Sequence, residues 1–115
     1  RRLPAPTLLG PKEGAHFEGE MPLLLRWASV GVLWDYEWYA VCLQPAGGEA
    51  VCRQPVAWTK ATSWRVPPEW REQAEGSLFR WTVQVVHSPG NRDGEIRPDA
   101  QVISRIVEVR TFTWH

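Results

Sequence analysis

The chain has little of what most chemistry requires. Its 115 residues include two cysteines, three histidines and one methionine. Two cysteines without histidines close by would leave a zinc shell half empty, so no metal site is expected. His16, His87 and His115 are scattered, and no serine or cysteine is plausibly partnered with them, so no nucleophile–histidine–acid triad is expected. Charge of one sign is missing as well. Thirteen Lys and Arg balance thirteen Asp and Glu, which removes any general attraction to nucleic acid or an anionic membrane. Long apolar runs are absent: Leu23-Leu24-Leu25 falls far short of the roughly 20 residues of a membrane-spanning helix. No internal repeat is visible. The chain opens on Arg1 with no recognisable signal peptide, as expected of a processed chain or of a module belonging to a longer one.

What is present is aromatic and alternating. Hydrophobic residues make up 43% of the chain, and eight of its residues are tryptophan. The length suits one domain. In Phe79-Arg80-Trp81-Thr82-Val83-Gln84-Val85-Val86 the odd positions are large and apolar, while Arg80, Thr82 and Gln84 are polar. That period of two predicts a central strand with one face in a core and the other in water. Around it, the chain reads as further short strands. Residues 1–6 form a proline-rich linker, and one domain spans 7–115, beginning with an edge strand at Thr7-Leu8-Leu9. Leu23, Leu25 and Trp27 share the inner face of a second strand, and Tyr39, Val41 and Leu43 that of a third. Gly47-Gly48 turns a hairpin back into a strand over 49–54, and Trp58 to Val66 leads into a fifth that stops at Pro67-Pro68. Residues 69–75 have the composition of a short helix, 87–102 that of a long loop, and Val107 to Trp114 that of the last strand. Six or seven short strands with turn chemistry between them argue for an antiparallel sandwich.

One family fits this order of core residues. Leu25-x-Trp27, Tyr39-x-Val41-x-Leu43, Thr62-x-Trp64-x-Val66-Pro67, Phe79-x-Trp81-x-Val83-x-Val85 and Arg110-x-Phe112-x-Trp114 together resemble a fibronectin type III-like module. Such modules occur in bacterial cell-surface and secreted proteins. The resemblance implies an all-β, immunoglobulin-like antiparallel β-sandwich of about seven strands. It also implies a spacer, adhesive domain or assembly subunit without catalysis, although a shared fold does not fix a role. Phe79 departs from the pattern, because the family often has a tyrosine there whose hydroxyl bonds back to the backbone.

The two cysteines are placed symmetrically about Gly47, so a simple hairpin sets Cys42 opposite Cys52, within disulfide reach. A disulfide in turn implies an oxidising, extracytoplasmic compartment. Asp35 and Glu37 bracket Tyr36, a spacing that invites comparison with the paired carboxylates of glycosidases. At the start of a strand they read as a solvated loop end. Asn91, Asp93, Glu95 and Asp99 lack the spacing of a calcium loop and read as turn formers. The surplus aromatics Trp34, Trp38, Trp58 and Trp70, with Leu8 and Leu9, form the candidate contact surface. Alternatively, Trp58 and Trp70 close the ends of the sandwich. The expected function is therefore non-enzymatic and needs no cofactor: a structural or interaction module whose partner is protein, either neighbouring domains or identical subunits. A carbohydrate-binding module stacking sugars on exposed tryptophans is the alternative. The segment Arg1 to Pro11 pairs either within its own sandwich, as a first strand does, or along a neighbour's edge.

Overall fold

A computed structural model of the chain describes residues 1–46, 54–73, 78–89, 100–105 and 108–115. Among these residues the strands are β1 (Leu8–Gly10), β2 (Ala15–Phe17), β3 (Leu24–Trp27), β4 (Glu37–Pro45), β5 (Ala57–Thr59), β6 (Ser63–Arg65), β7 (Leu78–His87), β8 (Gln101–Val102) and β9 (Arg110–Trp114). One helical turn, α1 (Trp70–Gln73), stands between β6 and β7. Two sheets result. The smaller has the order β1-β3-β6, and the larger β2-β9-β7-β4-β5, with β8 also paired to β7. The protein is all-β.

The alternating segment does lie in the middle of the larger sheet. β7 pairs antiparallel with β4 along its full length, from Glu37 opposite His87 to Pro45 opposite Phe79. Phe79, Trp81, Val83 and Val85 enter one core with Tyr39, Val41 and Leu43 of β4 and Phe112 and Trp114 of β9. Leu8, Leu23, Leu25 and Trp27 meet them from the smaller sheet. Phe79 has no hydroxyl to offer and stacks on Phe112 instead, with ring centroids 5.3 Å apart.

Several expectations need correcting. The even face of β7 is not in water: Thr82 and Val86 are buried, and Val86 joins Trp38 and Ala40 in a second cluster on the outer face of the sheet, with Trp58 and Ala100 against it. The stretch from Trp58 to Val66 is not one strand. It divides into β5, which pairs with β4, and β6, which pairs with β3, so the chain changes sheets between Thr59 and Ser63. Alternation alone carries no signal for such a crossing. The hairpin return over residues 49–53 lies outside the described residues, and among those described the partner of β4 on this side is β5. The stretch 87–102, read as a loop, ends in a strand, β8. β8 and β9 both pair with β7, but Val86 opposite Val102 and Trp81 opposite Arg110 belong to different registers.

The first strand pairs within its own sandwich, antiparallel to β3, with Leu8 opposite Trp27. The chain then crosses at Pro11, and β2 runs parallel to β9 on the edge of the larger sheet. Proline cannot donate to a ladder, so the crossing falls where continued pairing would fail. Arg110 and Glu108 seal this corner. Glu108 accepts from the Leu8 amide at 3.2 Å and from Arg110 at 2.9 Å, and Arg110 donates to the Pro11 carbonyl at 3.0 Å. Proline-rich residues 1–6 are also docked. Pro6 is buried, Leu3 bridges in parallel to Ser104, and the Leu3 amide donates to the Ile103 carbonyl at 2.9 Å.

Candidate functional site

The densest polar chemistry gathers where β3 hands over to β4, around a carboxylate expected to be solvated. Glu37 is 0% exposed. As the first residue of β4 it shares the inward face of Tyr39 and Val41, so its side chain reaches the end of the core. A carboxylate there must be compensated. Arg1 supplies the charge: its Nε donates to Oε2 at 2.8 Å and its Nη2 to Oε1. The Trp34 amide donates to Oε1 at 2.7 Å. Arg1 Nη2 also donates to the Val32 carbonyl at 3.0 Å, and the guanidinium lies 4.0 Å from the Trp34 ring centroid.

A second cation holds the same loop from the other side. Lys60, just past β5, donates to the carbonyls of Trp34 at 2.8 Å, Asp35 at 3.0 Å and Glu37. Its ammonium lies 4.4 Å from the Trp38 ring centroid. The turn beneath is closed by the Glu37 amide donating to the Trp34 carbonyl at 2.9 Å, and upstream the Val30 amide donates to the Tyr39 hydroxyl at 3.0 Å. Gly31, between these anchors, has φ of 111°, where a Cβ is strained. The loop from Ala28 to Tyr36 is therefore fixed in one shape although no strand holds it. That shape presents Val32, 87% exposed, and Trp34, 56% exposed, to solvent.

The charges respond to this arrangement. The Arg1 guanidinium bonded to Glu37 holds its carboxyl below the usual carboxylate range. Burial acts against this, and the Trp34 amide adds to the lowering. Burial pushes the Lys60 ammonium down, opposed by the charges of Asp35 and Glu37. A depressed folded pKa means that Glu37 contributes stability in full above its unfolded value, and that the contribution disappears as pH falls through the folded one. Acid unfolding of the wild type therefore steepens below about pH 4.3. In Arg1→Ala, with burial no longer opposed by the guanidinium, the acid limb moves to higher pH. Thermal melting between pH 3 and 7, roughly the span of carboxylate titration, checks this; superimposable acid limbs would contradict the role given to Arg1.

The expected contact surface does not form one patch. Leu8 is buried in the main core, and Trp38 is 8% exposed beneath Lys60. Both are corrections: period two hides which face a neighbouring element will cover. Trp58 is half-buried against Trp38 on the outer face of the larger sheet and not at an end of the sandwich, and Trp70 is half-buried against the main core. Leu9, 53% exposed, lies on the outer face of the smaller sheet, and Trp34 on the β3–β4 loop. Cys42 is buried on β4, and Cys52 lies outside the described residues. The ladder between β4 and β5 runs from Tyr39–Thr59 to Val41–Ala57 and ends one residue short of Cys42. Asn91, Asp93, Glu95 and Asp99 also lie outside the described residues. His16 and His115 come together, with rings 5.0 Å apart, and His16 meets Thr113 at 2.7 Å. Among the described residues no group of three His, Cys, Asp or Glu side chains is placed to hold a metal. No helix among them is long and apolar enough to cross a membrane.

Sequence reasoning missed Arg1 and Lys60 altogether. Both lie far along the chain from Glu37, and nothing local marks a lysine or a leading arginine as the partner of a buried carboxylate. In comparisons with protein-family models, curated proteins and solved structures, nothing matches this chain.

Proposed function

We propose that the chain is a non-enzymatic, extracytoplasmic contact module of the fibronectin type III-like, immunoglobulin-like sandwich type. The strand order supports that type. The order β1-β3-β6 is compatible with strands A, B and E, and β9-β7-β4-β5 with G, F, C and C′, while β2 adds a parallel strand at the β9 edge. The observation that carries the functional reading is the immobilised β3–β4 loop with Val32 and Trp34 exposed on it. An apolar tip that is already ordered loses little entropy on contact, which makes it a good anchor for another protein surface.

Light scattering tests this with identical subunits as the partner. The chain associates as its concentration rises towards about 1 mM, where an interface of about 4 kcal/mol is half-filled. Val32→Ser/Trp34→Ser returns it to a monomer with an unchanged melting curve. Monomers at every concentration that instead sediment with insoluble polysaccharide would favour the carbohydrate reading. The tryptophans speak against that reading: of the four surplus residues only Trp34 is largely exposed, and Arg1 covers one face of its ring.

The compartment rests on a Cys42–Cys52 disulfide. No cysteine among the described residues is free. Closing a loop of about ten residues, the bond contributes somewhat under 3 kcal/mol. Thiol titration of the denatured, unreduced protein should find no free cysteine, and two free thiols would remove both the bond and the argument for an oxidising compartment.

A further inference from the structure

We propose that the concavity formed by the Val32 carbonyl, the Trp34 ring and the Glu37 carboxylate is a receptor for an arginine side chain, filled in this chain by Arg1. The shape of the site carries the inference. Nε and Nη2 of the guanidinium address the two different oxygens of Glu37. Nη2 has a second acceptor in the Val32 carbonyl, and the Trp34 ring covers the group at 4.0 Å. A planar fork with several fixed donors satisfies all of these at once, whereas an ammonium is a single point with no face to stack.

The neighbouring site shows what the same loop offers an ammonium. Among the described residues, Lys60 is met by a cluster of three backbone carbonyls and by no carboxylate oxygen. The two cation sites share one loop and are built for different cations. The receptor itself comes entirely from residues 32–37, and the contacts of Lys60 and of the Trp34–Glu37 turn that anchor them do not involve Arg1. It is therefore preorganised to take a guanidinium supplied in solution once Arg1 is removed. This inference depends on the pocket alone and holds whether or not the domain associates with itself.

The test uses the full chain carrying Arg1→Ala, with methylguanidinium as the probe and n-butylammonium as the control at constant ionic strength, read by tryptophan fluorescence. Arg1→Ala should bind methylguanidinium saturably, at least about tenfold more tightly than n-butylammonium. Wild type, its pocket already filled, should not respond, and Glu37→Gln added to Arg1→Ala should abolish the response. Equal binding of the two cations, no saturable binding, or a wild-type response matching that of the variant would each overturn the proposal. Should Arg1→Ala not fold, Arg1→Lys serves instead. Methylguanidinium should displace its ammonium saturably, and a folded Arg1→Lys protein that ignores methylguanidinium overturns the proposal equally.

Discussion

Trp81→Ala lowers the unfolding free energy by roughly 3–5 kcal/mol, the range for deleting a large buried aromatic. That is a large share of the 5–15 kcal/mol typical of a domain. Trp81 is 1% exposed, at the centre of the central strand, with Leu43 opposite it on β4 and Arg110 on β9. The hole would open between three strands that are each held by other pairings, so it has little freedom to collapse. Trp81→Phe should cost far less. The indole Nε1 of Trp81 is buried with no hydrogen-bond partner among the described residues, and removing an unsatisfied donor recovers part of what the lost contacts cost. Denaturant midpoints at constant m-value measure both effects. If Trp81→Ala protein melts like wild type, the strand faces the other way.

Trp27→Ala should fall in the same range of about 3–5 kcal/mol for a different reason. Trp27 comes from the smaller sheet and Tyr39 from the larger, and their rings meet edge to face at 5.7 Å and 63°. The pair is a direct contact between the two layers. A double-mutant cycle with Trp27→Leu and Tyr39→Leu isolates it. A coupling of about 0.5–1.5 kcal/mol is expected beyond the loss of burial. Strict additivity would mean that these two rings do not join the sheets.

The core was legible because it is periodic. Alternation groups Leu23, Leu25 and Trp27, then Phe79, Trp81, Val83 and Val85, then Tyr39, Val41 and Leu43, each on one face, and all are buried. Bulk and β-branching chose the right face of β4. The same reasoning failed where the opposite face is also covered. Trp38 and Val86 look like solvent-facing residues in a period-two pattern, and only the approach of Trp58 and Ala100 makes them a second core. The contact surface failed for the same reason, since exposure belongs to an assembled neighbourhood and not to a residue type. Leu8 and Leu9 are adjacent and chemically identical, yet one is buried and the other exposed.

The sequence by itself determined an all-β chain, its central strand and the inward residues of its main core, because those follow from side chains alternating along a strand. It also limited the chemistry, through its few histidines and balanced charge. Only the tertiary structure decided how the strands divide between sheets, since the crossing between Thr59 and Ser63 is set by partners elsewhere in the chain. It alone turned Glu37 from a loop carboxylate into the buried centre of a charged site. The physical reason is distance along the chain. Arg1 and Lys60 stand 36 and 23 residues from Glu37, and a charge can be buried only where the fold has already carried its counterion to it.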